Sequence, residues 1–224
     1  MGDSKQGLRY EKKVIIPQWL KEDFIQYLKQ HPFFFREHYP QRKVNSIYFD
    51  DVGLTDYHHH VAGLPKRKKV RIRWYGTPQA FSPSLEIKKR NGQVGTKERV
   101  SLVFAPLGKW IAPQSHLELL QKSDLAGEVR ELLVGYKPVL INTYKRQYWL
   151  SLNQRFRITL DEDLGFMAFS ASNNLDKMFY DKSFMIVEIK YNQKDAAMAF
   201  QVMKHFPYRM NRFSKYVFAV KSLF

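Results

Sequence analysis

Charged residues stand two positions apart in five separate stretches of this 224-residue chain. Side chains two apart on a β-strand point to the same face, so each pair would be one strand's share of a common charged surface. Glutamates stand among the basic residues, and this mixture indicates a site for a polyanion together with a metal ion. The pairs are Glu11 and Lys13, Arg71 and Arg73, Glu86 and Lys88, Arg155 and Arg157, and Glu188 and Lys190.

Arginine, lysine and glutamate in this arrangement suit phosphate chemistry. Guanidinium forks bind phosphate oxygens in pairs, and ammonium groups act as mobile point charges. Phosphoryl transfer depends mainly on in-line positioning and on neutralising the charge of the phosphate oxygens. A hard divalent ion that bridges phosphates takes carboxylate oxygens and several waters, which one or two glutamates can supply.

The overall charge also indicates an anionic partner. Lys plus Arg number 37 against 21 Asp plus Glu, a formal net charge of +16. Because such a surplus repels itself in a compact fold, the expected partners are nucleic acid, acidic lipid headgroups or phosphorylated small molecules. The absence of cysteine excludes disulfides, thiolate nucleophiles and cysteine-ligated metal centres. No signal-peptide run or transmembrane stretch is found, so we expect a cytoplasmic protein, with a membrane-bound partner left open.

The elements that must position the charged pairs form an α+β pattern, with an antiparallel, β-dominated core and helices between hairpins. Asn91-Gly92 is typical of a two-residue hairpin turn. We expect one domain over residues 8–224, after a disordered start at 1–7. Strands are predicted at 8–16, 43–50, 66–76, 84–90, 94–104, 138–150, 155–163 and 184–191. Helices are predicted at 17–30, 54–63, within 106–135, and near 194–204.

The opposite faces of these strands are apolar, as Val70, Ile72 and Trp74 show beside the two arginines of their strand. That face must be buried, and the amphipathic helices are natural covers for it. The charged face then points either to open solvent, as in an ordinary one-sided sheet, or into a lumen formed when the sheet curls. Cations crowded on one face repel one another unless an anion lies between them, which favours the lumen.

Eight short motifs, taken in order, resemble the catalytic domain of the vacuolar transporter chaperone (VTC) polyphosphate polymerases. That domain belongs to the triphosphate tunnel metalloenzyme, or CYTH-like, group, and the resemblance covers about residues 8–218. The motifs are Arg9-x-Glu11-x-Lys13, Arg71-x-Arg73 before Trp74-Tyr75-Gly76, Leu85-Glu86-Ile87-Lys88, Lys97, Tyr144-x-Arg146, Arg157-Ile158-Thr159-Leu160-Asp161, Val187-Glu188-Ile189-Lys190 and Phe213-Ser214-Lys215-Tyr216.

The resemblance implies an eight-stranded antiparallel β tunnel, closed as a barrel, with helices packed outside. It also implies a metal-dependent phosphotransferase, which passes the γ-phosphoryl group of ATP to a growing polyphosphate chain with Mn²⁺ or Mg²⁺. The alternative on the same tunnel is an inorganic triphosphatase, in which water replaces the polyphosphate end as acceptor. A nucleic-acid binder is disfavoured, because the glutamates among the cations would repel a nucleic-acid backbone.

The resemblance further assigns roles to residues. Glu188 would hold the metal, while Glu11 and Glu86 would either assist it or pair with neighbouring cations across the strands. The catalytic set would be Lys13, Arg71, Arg73, Lys88, Arg146 and Glu188. Phosphate oxygens would be bound by Lys13, Arg71, Arg73, Lys88, Lys97, Tyr144, Arg146, Arg157, Lys190, Ser214 and Lys215.

Three further features leave alternatives open. Arg9 stands where the hydrolases of the group carry the first glutamate of Glu-x-Glu-x-Lys, and this weakens a metal-rich hydrolase site. The basic run from Lys66 to Lys69 is either an entrance for anions or a solvated charge run. Asp161 could reach the metal, orient Arg157, or mark a turn at the end of a strand.

Overall fold

The computed structural model describes residues 9–76, 82–92, 94–102, 125–169, 178–204, 208–210 and 212–224. The chain forms two compact units. Unit 1 comprises Met1–Arg42, Lys145–Leu164 and Asp181–Phe213, and unit 2 comprises Lys43–Tyr144, Gly165–Tyr180 and Ser214–Phe224. The predicted disordered start at 1–7 lies outside the described residues, as does most of the predicted helical section over 106–135.

The described part of the chain contains nine strands, which confirms the predicted mostly antiparallel α+β architecture. They pair in the order β1-β9-β7-β6-β2-β3-β4-β5, and β8 pairs with β7 outside this path. The strands are β1 Arg9–Pro17, β2 Arg36–Asp50, β3 Lys66–Tyr75, β4 Ser84–Asn91, β5 Val94–Ser101, β6 Lys137–Leu150, β7 Arg157–Ala168, β8 Met178–Asp181 and β9 Phe184–Asn192.

Five α-helices lie within the described residues. They are α1 Lys21–Gln30, α2 Thr55–Val61, α3 Gly127–Leu133, α4 Ala196–Lys204 and α5 Lys215–Leu223. Two single-turn 3₁₀ helices, Gln18–Leu20 and Gln193–Asp195, lead into α1 and α4. No helix in the described ranges is long and apolar enough to cross a membrane.

The predicted closed barrel of eight strands is corrected by the strand order. Among the described residues the order is open, with β1 at one end and β5 at the other. Alternation within a strand shows which side chains share a face. It does not specify whether the two outermost strands bond to each other, which closure requires.

The core of unit 1 forms where β1, β7 and β9 turn their apolar faces toward α1 and α4. The antiparallel register places Lys13 opposite Glu188 and Arg157 opposite Lys190, so these charged side chains share one face. The alternate positions on the other face are buried. They include Val14, Ile16, Ile158, Leu160, Val187 and Ile189, covered by Phe24 and Leu28 of α1 and by Ala199 and Val202 of α4. Each such buried side chain contributes roughly 1.5–3 kcal/mol.

Unit 2 has its own core, built from the hairpin β3–β4 and from β2. Here the register places Arg71 opposite Glu86, and Ser46 and Tyr48 of β2 opposite Arg73 and Arg71. The other face carries buried residues that pack with α3. They include Ile47, Phe49, Val70, Ile72, Leu85 and Ile87, with Val129 of α3. In both units the two-residue alternation therefore separates an apolar core face from a charged face.

Several boundaries differ from the sequence prediction. β2 begins at Arg36 rather than 43, and its first eight residues are exposed, so they lack the buried alternation that would have marked them. The structure adds β8, a strand that the sequence analysis did not predict. β7 begins at Arg157 and runs to Ala168, so Arg155 lies before the strand rather than on its charged face.

Candidate functional site

The first candidate site lies in unit 2, around the carboxylate of Glu86 on β4. Arg71 donates from Nε and Nη2 to Oε2 of Glu86, at 2.9 and 2.5 Å. Lys97 of β5 donates to the other oxygen, Oε1, at 2.7 Å. Arg73 adds a third positive charge, with Nη1 at 3.9 Å from Oε2. One buried glutamate thus faces three cationic side chains, and these four residues form what we call the Glu86 cluster.

Neutral side chains hold the guanidinium groups of the Glu86 cluster in place. Arg73 donates from Nε to the hydroxyl of Ser46 at 3.1 Å and from Nη2 to the hydroxyl of Tyr144 at 3.1 Å. Arg71 donates from Nη1 to the hydroxyl of Tyr48 at 3.2 Å. Since Ser46 and Tyr48 lie directly opposite the two arginines, the strand register itself provides these acceptors.

The ionisation of nearby groups indicates a positive potential in this part of unit 2. Burial opposes ionisation of Glu86, but Arg71, Arg73 and Lys97 outweigh it and hold the pKa of the carboxyl well below its ordinary value. Burial would also raise the pKa of the Tyr48 phenol. The charges of Arg71 and Arg73 instead lower that pKa. The single glutamate therefore does not neutralise its surroundings.

The start of α5 supplies further predicted site residues to unit 2. The ammonium of Lys215 lies 4.5 Å from the centre of the Tyr144 ring. Ser214 caps the helix by accepting from the backbone N–H of Val217, and it also accepts from the ammonium of Lys69 at 2.8 Å. The structure therefore brings Tyr144, Ser214 and Lys215, which lie far apart in sequence, into the same unit as the Glu86 cluster.

A buried aspartate fixes the position of α5 within unit 2. Asp50, at the end of β2, accepts the Tyr216 hydroxyl at 2.5 Å and the backbone N–H groups of Asp56 and Tyr57 of α2 at 3.0 Å. Burial and the hydrogen bond to Asp50 raise the pKa of the Tyr216 phenol. These bonds connect α2 and α5 to the end of β2, and they thereby position the adjacent Lys215.

Lys88 completes the predicted set in unit 2. It lies on β4 two residues beyond Glu86, opposite Lys69 on one side and Lys97 on the other. Its side chain is exposed. Strand alternation therefore places Lys88 on the charged face, as the sequence predicted, but outside the buried Glu86 cluster.

The second candidate site lies in unit 1, around the carboxylate of Glu188 on β9. Lys190 pairs with Oε1 of Glu188. The ammonium of Lys13 lies 3.8 Å from Oε2 of Glu188 and 2.6 Å from Oε1 of Glu11. Lys13 also donates to the carbonyl oxygen of Phe213 at 3.2 Å. Two carboxylates thus converge on one ammonium group, and Lys13 rather than Lys12 makes these contacts, as strand alternation predicted.

An arginine and an aspartate form a further ion pair in unit 1. Arg146 donates from Nε and Nη2 to the two carboxylate oxygens of Asp161, at 2.5 and 2.7 Å. Burial disfavours ionisation of Glu188, but Lys190, Lys13 and Arg146 outweigh this effect and hold its pKa well below the ordinary value. We call Glu11, Lys13, Arg146, Asp161, Glu188 and Lys190 the Glu188 cluster.

Two expectations for unit 1, those for Asp161 and Arg155, are revised by these contacts. Asp161 is fully buried within β7, so it does not mark a strand end, and it pairs with Arg146 rather than orienting Arg157. Arg155 pairs with Asp195 at 3.5 Å and does not join the charged face. Arg157 does share the face of Glu188 and Lys190, but its side chain is exposed.

The carboxylates differ in how well they fit a metal ion. No group of three or more His, Asp or Glu side chains arranged for a metal is found in the described parts of the chain. Glu11 and Glu188 converge on one cation already, and such a pair fits a hard divalent ion that takes its other ligands from water and phosphate. Glu86 is less suited, because the guanidinium of Arg71 holds its Oε2, while Lys97 contacts its Oε1.

Some residues that contact the predicted site residues were not identified from the sequence. Ser46 and Tyr48 are the clearest case, because their two-residue spacing on β2 was the same signal that identified the charged pairs. Neither side chain carries a charge, so the pattern of alternating charges did not include them. The role of Lys69 as a donor to Ser214 had no local signal, since those residues are 145 positions apart.

Solved structures share this fold at low sequence identity. A protein from Pyrococcus horikoshii matches with a TM-score of 0.55 and 13% identity, over 95% of this chain and 99% of that chain. A proposed adenylate cyclase from Vibrio parahaemolyticus matches at 0.51 and 14%, over 95% and 99%. Another, from Bacillus halodurans, matches at 0.55 and 15%, over 93% and 94%. The architecture therefore recurs in other proteins, including two that carry that proposed activity.

The sequence match is more specific than the structural one. The family model of the VTC domain matches residues 8–224. The chain therefore belongs to the VTC domain family, which confirms the resemblance found in its motifs. No curated protein sequence matches the chain at a significant level.

Proposed function

We propose that this VTC domain is a metal-dependent phosphotransferase that extends polyphosphate. The reaction transfers the γ-phosphoryl group of ATP to the terminal oxygen of a polyphosphate chain. The bond from the γ-phosphorus to the bridging oxygen breaks, a new phosphoanhydride forms, and ADP leaves. The observation that carries the proposal is the Glu86 cluster, where buried Arg73, half-buried Arg71 and exposed Lys97 face one buried carboxylate in a member of this family.

The residues of unit 2 suit the binding of phosphate oxygens. Arg71, Arg73 and Lys97 exceed the charge of Glu86 by two, so a phosphate group can join the cluster without first displacing a carboxylate. Arg73 is already oriented by Ser46 and Tyr144, so little side-chain freedom is lost when it binds. Lys215 and the hydroxyls of Tyr144 and Ser214 would add donors, and exposed Lys88 would meet phosphates further along the chain.

The residues of unit 1 suit a divalent metal and phosphate oxygens. Glu188 and Glu11 would hold Mn²⁺ or Mg²⁺, which supplies charge neutralisation for the phosphate oxygens when bound. Lys13 and Lys190 are flexible ammonium groups, so they can turn from the carboxylates toward phosphate oxygens. Arg146 is held by Asp161 and keeps a fixed positive charge there, while exposed Arg157 would bind phosphate at the edge of the cluster.

The test is the product formed from ATP. Purified protein is incubated with ATP and Mn²⁺, and the products are separated and stained for long phosphate chains, with ADP measured in parallel. We expect polymer and ADP in equal phosphoryl equivalents. Release of orthophosphate without any polymer would overturn the polymerase proposal and indicate a phosphohydrolase.

A matched pair of variants assigns the activity to the site. Arg73→Gln removes one positive charge from the Glu86 cluster and should lower polymer formation at least about a hundredfold, as loss of one donor to a developing phosphate charge does. Lys29→Gln removes one charge from an exposed position on α1 and should leave the rate unchanged. Equal rates in both variants would remove the Glu86 cluster from the mechanism.

A further inference from the structure

A basic pocket lies in unit 2 outside the Glu86 cluster, where β3 begins and β4 ends. It has a volume of about 290 Å³. The register sets Arg67 opposite Arg90 and Lys68 opposite Lys89, although like charges directly opposite each other destabilise a strand pair. The lining residues are Asp56, His59, Lys66, Arg67, Lys68, Lys89 and Arg90.

The contacts of these cations orient them but leave most of their charge in place. Arg67 donates from Nη1 to the carbonyl oxygen of Leu64 at 2.8 Å, and Arg90 from Nε to that of Gly92 at 2.9 Å. Lys68 lies 4.6 Å from the centre of the Tyr136 ring. Carbonyl groups and an aromatic ring position cations without cancelling their charge.

Carboxylates near the pocket are too few to balance it. Lys89 pairs with Glu98 at 3.0 Å, but both side chains are 43% exposed, so water and salt screen this pair. Asp56 is the one carboxylate among the described residues that line the pocket, against five Lys and Arg side chains. The pocket therefore keeps a clear surplus of positive charge and is suited to an anion.

A row of cations connects two of the lining residues, Arg67 and Arg90, with the Glu86 cluster, whereas Lys66, Lys68 and Lys89 take the alternate positions of the two strands, on the face that carries the core. Arg67, Lys69, Arg71 and Arg73 alternate along β3 and so share one face, while Arg90 and Lys88 stand opposite Arg67 and Lys69 on β4. Four residues of strand separate Arg67 from Arg71, a distance of about 13 Å at the usual rise per residue. The charged face of one hairpin thus extends well beyond the cluster.

We propose that this basic pocket is an accessory anion site, which holds a distal segment of a linear oligophosphate whose other end lies on the Glu86 cluster. The inference rests on the proposed function. Each added phosphate lengthens a phosphoanhydride chain by less than one residue lengthens a strand. A triphosphate on the cluster therefore ends short of Arg67, whereas a longer chain reaches the pocket and gains a second set of contacts.

The test compares short and long chains on the full protein. Tripolyphosphate and a polyphosphate of several tens of units are titrated calorimetrically into wild type and into Lys66→Gln/Arg90→Gln, which removes two cations from the pocket. The matched control is Lys29→Gln/Arg209→Gln, which removes one lysine and one arginine from exposed positions of unit 1.

The pocket variant should bind the long chain roughly tenfold more weakly and tripolyphosphate as tightly as wild type does, because only the long chain reaches the pocket. The control should bind both as wild type does. Equal weakening for both ligands, an equal loss in the control, or no loss for the long chain would overturn the accessory site. If wild type binds neither ligand, the proposed function fails as well, so the two failures are distinguishable.

Discussion

The two clusters place a buried glutamate among three cations in each unit, yet their charge balance differs. In unit 2, Glu86 is the one carboxylate among the described residues that faces Arg71, Arg73 and Lys97. In unit 1, Lys13, Lys190 and Arg146 face three carboxylates, namely Glu11, Glu188 and Asp161. One cluster carries a positive surplus and the other is neutral. This difference favours phosphate binding by unit 2 and metal binding by unit 1.

The two clusters also differ in the type of cation that contacts the glutamate. The Glu86 cluster is fixed by two guanidinium groups with several hydrogen bonds each. Glu188 instead contacts two lysines, whose ammonium groups are compact and flexible. A divalent ion can replace a lysine beside a carboxylate more readily than it can break a hydrogen-bonded guanidinium fork. Rigid arginines in unit 2 and displaceable lysines in unit 1 therefore match the two proposed roles.

The largest expected effect is the loss of stability on removing the carboxylate of unit 2. Glu86→Ala leaves buried Arg73 and half-buried Arg71 without their shared counter-charge, and it should lower the free energy of unfolding by about 3–5 kcal/mol. Urea denaturation followed by circular dichroism measures the change. If the free energy of unfolding falls by less than about 1 kcal/mol, as expected for an exposed ion pair, then Glu86 does not hold the arginines.

The control for this variant is Glu98→Ala, which breaks an ion pair between β4 and β5. Lys89 and Glu98 are each 43% exposed, so the change in unfolding free energy should stay within about 1 kcal/mol. The contrast between the two variants isolates burial from the simple removal of a negative charge.

The second prediction concerns guanidinium geometry. Arg71→Lys keeps the charge, but one ammonium cannot reproduce donation to both Glu86 and Tyr48, so stability should fall by about 1.5–3 kcal/mol. Lys190→Arg, the reverse exchange beside Glu188, should cost less, because a single flexible contact is replaced there. Comparable losses in the two variants, measured in the same urea titrations, would erase the distinction between rigid and displaceable cations.

The third prediction separates the clusters by metal affinity. Glu188→Gln should weaken Mn²⁺ binding at least about tenfold, whereas Glu86→Gln should leave it unchanged, because only the carboxylate pair of unit 1 fits the ion. Electron paramagnetic resonance of free Mn²⁺ during a titration gives both affinities without any assay of activity. If Mn²⁺ binding weakens in the Glu86 variant alone, then unit 2 rather than unit 1 binds the metal.

The smallest expected effect is on the pH dependence of stability, and it compares two carboxyl groups of unit 2. The folded pKa of Glu86 lies below its ordinary value of 4.5, so the unfolded state takes up the proton first, and stability is lost as pH falls below about 4.5. Burial raises the pKa of Asp56 from 3.8 to about 6. The folded state therefore holds this proton more tightly than the unfolded state does, and the stability of the fold decreases as pH rises through that range.

The variants Glu86→Gln and Asp56→Asn should therefore each reduce the dependence of stability on pH. The two dependences have opposite signs. Glu86→Gln reduces the loss of stability on acidification, and Asp56→Asn reduces the loss between about pH 4 and 6. Thermal unfolding across pH measures both slopes. Slopes of the same sign would mean that the cations of the Glu86 cluster do not control its ionisation.

The sequence was sufficient to predict which residues share a face. The two-residue spacing placed Glu11 with Lys13, Arg71 with Arg73, and Glu188 with Lys190 correctly, because alternation is a local property of a strand. The same reasoning failed for Arg155, since the strand begins two residues later and the side chain meets Asp195. Family motifs then supplied Tyr144, Ser214 and Lys215, which no spacing could connect.

The remaining features depend on contacts distant in sequence. Arg146 and Asp161 lie on different strands, and nothing in either segment specified that they pair. The alternation along each strand also could not predict whether the sheet closes, because closure depends on hydrogen bonds between the outermost strands. Charge balance within each cluster emerged only from distances, since the sequence gives charges without their partners.

The most direct test of the central claim is a crystal structure of the protein with tripolyphosphate and Mn²⁺. We expect phosphate oxygens within hydrogen-bonding distance of Arg71, Arg73 and Lys215, and the ion on Glu188. Tripolyphosphate bound elsewhere on the surface, with the contacts of Arg71 and Arg73 to Glu86, Tyr48, Ser46 and Tyr144 unchanged, would contradict it.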